Sequence, residues 1–572
     1  MPSLFNQIPV SAEDQEKNNH PHRPVIVAAV LAVLALYIYL FTHVSGWLDI
    51  PTPESLTGRL GLSIGHVFDK DHNVDCNLIV SFTQKYINDD ERFLFFLCVG
   101  LAFLFSYFLP VRYKKYSHII FFLITVGILY GARGVLGLLF AHICVYLILH
   151  PVSGKKLWQG GLPGLLGVLA FYPYPELTAA VLLRAGLAMG VSIFLYRNMI
   201  LPLLAQSRFA GPLRTLAVQS AVTTIVLGVL LEGFNGNVWK LPLGIFLFFW
   251  HWERLFMYHL DYQDGLVPKD LPLGTYLSVF LSPATIINWT WGMAIAQGYA
   301  YTTSNFLCED KNKLILGGLR LWGLALVYLV FGDWFHYQLR QLVEFMGIPV
   351  FYSIRGMSCH FVEGGSLSAP TVLLTSLTDL ARWLFLWGGV VHFKVGLWRI
   401  CGYRVDPHFN CFWIATNLVN LWTRFNFHYR QFMVRAFYYP VLFRFFRNHT
   451  HLRIFAATMA AACIGNFAWG HIAESFFYHG LEISSLTRIW GHWPYFFLLA
   501  LGIYVSEIWL MHKKNRRRKP WTPGWKISFD MISAYLTLQY FALIRIFGHP
   551  CGKGTVWDHL NVVLIGLGFQ PG

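Results

Sequence analysis

Eleven long apolar runs dominate this chain: Val25–Phe41, Phe93–Leu109, Ile119–Leu149, Leu177–Leu201, Leu216–Leu231, Leu241–Tyr258, Leu314–Val330, Leu373–Val391, Ile454–His471, Tyr495–Met511 and Ile527–Ile546. A helix needs about 20 apolar residues to cross the hydrocarbon core of a bilayer, and most of these runs approach that length. Charged residues make up only 13% of the 572, against about 25% in an ordinary soluble domain. One soluble core cannot absorb so many unbroken apolar segments. The expected fold is therefore all-α, a polytopic membrane protein. Ile119–Leu149 divides at the "GARG" of Gly131–Gly134, so the expectation is about 11 to 13 transmembrane helices. Interfacial or re-entrant helices are expected to accompany them around a central cavity.

The formal charge is +15, and its placement explains it. Basic clusters sit just outside apolar runs: "RYKKY" at Arg112–Tyr116, "GKKLW" at Gly154–Trp158 and "HKKNRRRK" at His512–Lys519. Cytoplasmic loops retain positive charge in this way and meet anionic lipid. The expected partner is the bilayer, not nucleic acid. The loop Thr42–Asp90 is acid-rich, which predicts a cytoplasmic N-terminus and an external first loop. Residues 1–24 read as a polar cytoplasmic N-terminus, followed by a retained anchor and one multi-span domain over residues 25–572. The nine cysteines show no CxxC and no metal spacing, and read as small buried hydrophobes.

Polar groups at membrane depth are costly, so they mark function. Twenty-three histidines raise the idea of a di-iron oxygenase, but "NHTHL" supplies only an HxH and no second cluster accompanies it. No metal is expected. In "ACIGNFAWGHIAESFF", His471 lies near the end of a long apolar helix. Asn466, five residues earlier, shares that helix about 140° around its axis. The other conspicuous stretch is "NLWTRFNFHYRQFMVRAFYYPVLF", Asn420–Phe443, which threads Arg424, Arg430 and Arg435 among aromatic rings. Such a mixture suits the membrane interface. Pro440 lacks a backbone donor, which predicts a broken helix near "YYP". The segment reads as interfacial or re-entrant rather than spanning.

The order of these motifs resembles the membrane-bound O-acyltransferase (MBOAT) family, in its bacterial cell-envelope branch. The resemblance covers a core of about residues 241–475. "LPLGIFLFFWHWERLFMYHLDY" is similar to the family's Pro-Leu-Gly-Ile opening and Tyr-x-x-Asp helix end through Pro242, Leu243, Gly244, Tyr258 and Asp261. Phe280 and Pro283 match a Phe-x-Pro element. Gly389, Gly396, Gly402, Tyr403 and Phe409 match a glycine-rich helix and its ending, with His392 where the family has Asp. Trp422 and Arg424 coincide with a Phe-Trp-x-Arg-Trp-His signature, with Phe425 for its second Trp and Asn426 for its His. Tyr438 and Pro440 coincide with a Tyr-x-Pro, and "GNFAWGHI" resembles the segment holding the catalytic histidine, here His471. Trp469-Gly470-His471 carries one residue more than the family's Trp-His.

The resemblance implies acyl transfer, acetyl groups included, from a thioester or ester donor to a hydroxyl of an envelope polysaccharide, a lipid or another acceptor. His471 would be the general base and Asn426 the donor to the substrate carbonyl. Trp422, Arg424, Phe425, His428, Trp469 and Asn466 would bind substrate. No cofactor is expected to be bound permanently. The donor would be an acyl-CoA or an acyl carrier protein thioester, and an extracytoplasmic partner acyltransferase would be a further partner. The expected location is a bacterial inner membrane. Two rival readings are a transporter or flippase of a lipid-linked glycan and a non-catalytic scaffold. The transporter should show internal repeats and midplane charges, and the sequence reading finds neither.

Overall fold

The computed structural model describes residues 311–468, 491–515 and 523–569, most of 254–281, residues 297–304 and 24–33, and scattered positions between 35 and 146. The described residues are largely helical and contain no β-strand. In chain order the described helices used below are α1 (Leu273–Phe280), α2 (Tyr299–Ser304), α3 (Lys311–Phe345), α4 (Ile354–Val362), α5 (Ala369–Ile400), α6 (Leu418–Arg424), α7 (Phe427–Met433), α8 (Tyr439–Arg444), α9 (Thr450–Thr458), α10 (Trp493–Asn515), α11 (Pro523–Gly548) and α12 (Val556–Gly566).

Among the described residues, two helices are long and apolar enough to cross a membrane: Trp493–His512 in α10 and Gly524–Gly548 in α11. The runs Leu314–Val330 and Leu373–Val391 fall in α3 and α5, but α5 also carries Asp379, Arg382, Lys394 and Arg399. The runs Phe93–Leu109, Ile119–Leu149, Leu177–Leu201, Leu216–Leu231 and Leu241–Tyr258 lie wholly or largely outside the described residues.

Two segments depart from the helical periodicity expected of them. Val434–Tyr438 and Met459–Gly465 are π-helical. The expected break at Pro440 does not occur. Pro440 sits in the first turn of α8 directly after the π turn, and the chain stays helical through it.

Contacts group the chain into two compact units. One comprises Met1–Thr42, Ile79–Arg320 and Gly396–Val405; the other comprises His43–Leu78, Leu321–Val395 and Asp406–Gly572. In the first unit, the buried Arg254 guanidinium ties together the ends of two short helices. Its Nη2 donates to the Val279 carbonyl at 2.6 Å and to Thr302 Oγ1 at 3.2 Å, and its Nε donates to the Gln297 carbonyl at 3.2 Å. Asp261 accepts from the Ala300 amide at 2.9 Å, and the Tyr258 ring meets Phe280 edge-on at 5.4 Å. Three positions of the acyltransferase-like motifs, Tyr258, Asp261 and Phe280, are thus buried in one cluster.

In the second unit α10 and α11 pack as a pair. Gly502 allows their close approach, since a Cβ there would run into Leu418 and the Tyr540 ring. The Tyr540 hydroxyl donates across the pair to the Leu498 carbonyl at 2.7 Å. A buried ion pair, Arg545 Nη1 to Asp379 Oδ2 at 3.0 Å, joins α11 to α5. Ile354, Met357, Val372, Leu543, Ile546, Val562 and Ile565 form an apolar cluster around α4 and α12. A disulfide, Cys359–Cys551, joins α4 to the turn before α12. This corrects the reading of every cysteine as a small buried hydrophobe. The bridge spans 192 positions of sequence, and no local spacing announces such a pair.

Candidate functional site

The stretch around Trp422–His428 is folded as a turn held by a strap, Asp406–Asn410. Asn417 caps α6 by accepting from the Asn420 amide at 2.8 Å, and α6 ends at Arg424. The chain then turns through Phe425 and Asn426, and α7 begins at Phe427. Three contacts fix strap to turn. The Asn410 amide donates to the Arg424 carbonyl at 2.8 Å, the Phe427 amide to the His408 carbonyl at 3.2 Å, and the His428 amide to His408 Nδ1 at 3.4 Å.

Asn426 adopts φ 61° and ψ 49°, the left-handed region, which asparagine tolerates better than most residues. Its side chain is 4% exposed and does not cap α7. The side-chain oxygen Oδ1 is buried with no hydrogen-bond partner. A buried polar atom left so costs about 1–3 kcal/mol. The residue is buried, conformationally constrained and chemically unspent.

Aromatic rings wall this turn. Phe425, 2% exposed, meets Phe409 at 4.9 Å, Trp383 at 5.4 Å, Trp422 at 5.7 Å and Phe541 at 6.3 Å between centroids. Trp422 Nε1 is a second buried polar atom without a partner. Phe425 and Trp422 both belong to this ring cluster.

Two expected substrate contacts are otherwise engaged. Arg424 donates from Nε to Asn420 Oδ1 at 2.8 Å and from Nη1 to the Asn410 carbonyl at 3.2 Å, so its guanidinium holds the strap. His428 is fully buried, its Nε2 3.0 Å from the Asp406 carbonyl and its ring 4.8 Å from that of His408. His428 therefore fastens the start of α7 to the strap. His408, which sequence reasoning missed, shares this role; only its proximity to the signature, 18 positions before Asn426, hinted at it.

Asn466 is tied to the turn from the other side. The Tyr429 hydroxyl donates to Asn466 Oδ1 at 2.9 Å. That bond brings the helical segment that precedes Trp469 and His471 against α7, which Asn426 begins. Trp469 and His471 themselves lie outside the described residues.

Beside the π-helical segments, Glu507 of α10 accepts from the Tyr438 hydroxyl at 3.4 Å and from Thr458 Oγ1 at 3.3 Å. Glu507, and Arg545 of the Asp379 pair, lie within the two membrane-length helices. His392 is buried among the Tyr328 and Phe409 rings. Among the described residues no three His, Cys, Asp or Glu side chains converge as metal ligands. No protein-family model matches the chain, and no curated protein matches it.

Proposed function

We propose that this chain is a membrane-embedded O-acyltransferase, moving an acyl group from a thioester or ester donor to an acceptor hydroxyl. The observation that carries the reading is Asn426: a buried amide without a partner, in a left-handed turn walled by aromatic rings, at the position where the sequence resembles the acyltransferase signature. The tie from Tyr429 to Asn466 supports an approach of the His471 segment to the same turn.

In the proposed reaction the imidazole of His471 takes the proton of the acceptor hydroxyl as its oxygen attacks the donor carbonyl carbon. The Asn426 amide donates to the carbonyl oxygen as negative charge develops there. Either end of a terminal amide can occupy the buried position, so the Nδ2 donor serves as readily as Oδ1. The C–S or C–O bond to the leaving group then breaks, and the proton passes from His471 to the departing atom. The donor is an acyl-CoA or carrier-protein thioester, or an acyl lipid, and the apolar walls keep water from hydrolysing it. Arg424, His408 and His428 position the turn.

The test is acyl transfer by purified protein with His471→Ala. The expected loss is 10²- to 10⁴-fold with thermal stability retained. Retention of more than about a tenth of the activity removes His471 from the base role.

Glu507 and the Asp379–Arg545 pair favour a second reading, a transporter of a lipid-linked substrate, because charges at membrane depth mark transport paths. Radiolabelled donor separates the two. A transporter moves its substrate without covalent change.

A further inference from the structure

The second unit has two chemically distinct ends. At one end, α8 and α9 are joined by a loop bearing exposed Arg444, Arg447, His449 and His451. The His451 ring stacks on His512 at 6.2 Å, which places this loop beside the last turn of α10. The run Lys513–Lys519 follows directly in sequence. The basic residues between α8 and the start of α9, and Lys513 and Lys514 in the last turn of α10, therefore lie at one end. From there α9 and its π-helical continuation run antiparallel to α10: Phe455 meets Tyr504 at 5.2 Å, and Phe467 meets Phe496 at 5.4 Å.

The opposite end holds the disulfide. Gly548, at the end of α11, sits against the Tyr495 ring near the start of α10, and Cys551 follows three residues later. Around the bridge, the Cys551 amide donates to His559 Nε2 at 2.8 Å, while Nδ1 of the same ring lies 2.5 Å from the Thr555 carbonyl. Thr555 and Asp558 cap α12 reciprocally. Lys553 pairs with Glu363 at 3.4 Å. Trp557, Leu567 and Phe569 are exposed beside these groups, as Phe443, Phe445 and Phe446 are at the basic end. The stretch Trp493–His512 between the two ends rises about 30 Å, the thickness of a hydrocarbon core.

Two independent physical rules bear on these ends and agree. Positive charge is retained on the cytoplasmic side of a membrane, and disulfides persist on the oxidising side. The geometry points to an orientation in which the arginine- and lysine-rich end faces the cytoplasm and the Cys359–Cys551 bridge forms outside, stapling the cap helix α12 to α4 over the outer end of the unit. This rests on the membrane-embedded part of the function proposed above. Oxidation needs an extracytoplasmic dithiol–disulfide oxidant. One cysteine thiolate attacks its disulfide to give a mixed disulfide, and the second thiolate displaces it, forming the Sγ–Sγ bond. The oxidant leaves as a dithiol carrying two electrons and two protons.

A consequence follows for the candidate site. Phe541, which contacts Phe425, lies about 10 Å of helix rise from Gly548 and about 27 Å from Pro523. The Asn426 turn is therefore in the outer half of the membrane, nearer the disulfide-stapled cap than the basic end.

The test uses the full-length chain in cells. Free thiols are blocked under denaturing conditions, disulfides are then reduced, and the new thiols are counted with a PEG-maleimide. Wild type is expected to gain two more adducts than Cys359→Ser or Cys551→Ser. Equal numbers overturn the bridge. For orientation, Trp557→Cys and Arg447→Cys are labelled with a membrane-impermeant maleimide, with Phe569→Cys as a second outer position. Trp557→Cys and Phe569→Cys are expected to label on intact cells, and Arg447→Cys only after permeabilisation. The reverse pattern overturns the orientation. Alkaline carbonate extraction distinguishes the two levels of failure. Release of the protein from membranes removes the membrane reading and this orientation with it, whereas reversed labelling of retained protein removes the orientation alone.

Discussion

Asn426 carries two separable burdens, a left-handed backbone and a buried amide without a partner. Glycine adopts φ 61° at no steric cost, so Asn426→Gly relieves the backbone while deleting the amide. The expected outcome is an unfolding midpoint at or above wild type with kcat lowered 10²- to 10³-fold, as for loss of one oxyanion donor. An effect confined to KM makes Asn426 a binding residue instead. Asn426 was singled out by the local Trp-x-Arg-Phe-Asn order. The roles of His408 and His428 were not, because a strap 20 positions away decides what a ring touches.

At the scale of elements, the apolar runs foretold helices, and α3, α5, α10 and α11 coincide with four of them. The π-helical turns at Val434–Tyr438 and Met459–Gly465 left no such mark, since one extra residue per turn blurs a 3.6-residue period without replacing it. Pro440 illustrates the difficulty. Read alone it ends a helix, yet after the π turn the chain stays helical through it into α8. The α10–α11 pair depends on Gly502, where an added side chain meets Leu418 and Tyr540. Gly502→Val is expected to destabilise by about 1–3 kcal/mol, as overpacking does, and to separate the two helices. Tyr540→Ala in the same chain opens room for the valine and is expected to recover part of that loss. Thermal melts of both variants check the pair.

For the whole molecule, the second unit is cross-linked at depth by an ion pair and at one end by a covalent bond. Asp379 and Arg545 are both buried, and Arg545 also lies over the Trp383 ring at 4.7 Å. Asp379→Asn leaves the guanidinium buried without its counter-charge, and the expected cost is about 3–5 kcal/mol. Asp379→Leu combined with Arg545→Met is expected to cost less than either single change, because no charge then remains to be desolvated. A double-mutant cycle on the unfolding midpoint measures it. Composition and the length of the apolar runs determined, without any coordinates, that this chain builds long apolar helices, two of which among the described residues are long enough to cross a membrane. This is a property of short segments, since burial of an apolar stretch acts on residues adjacent in sequence. Only the tertiary structure decided that Cys359 meets Cys551, that Asp379 meets Arg545, and that Asp406–Asn410 grips the turn at Asn426. Those pairings join residues 14 to 192 positions apart, and what brings them together is the mutual fit of whole helices, which no local period encodes.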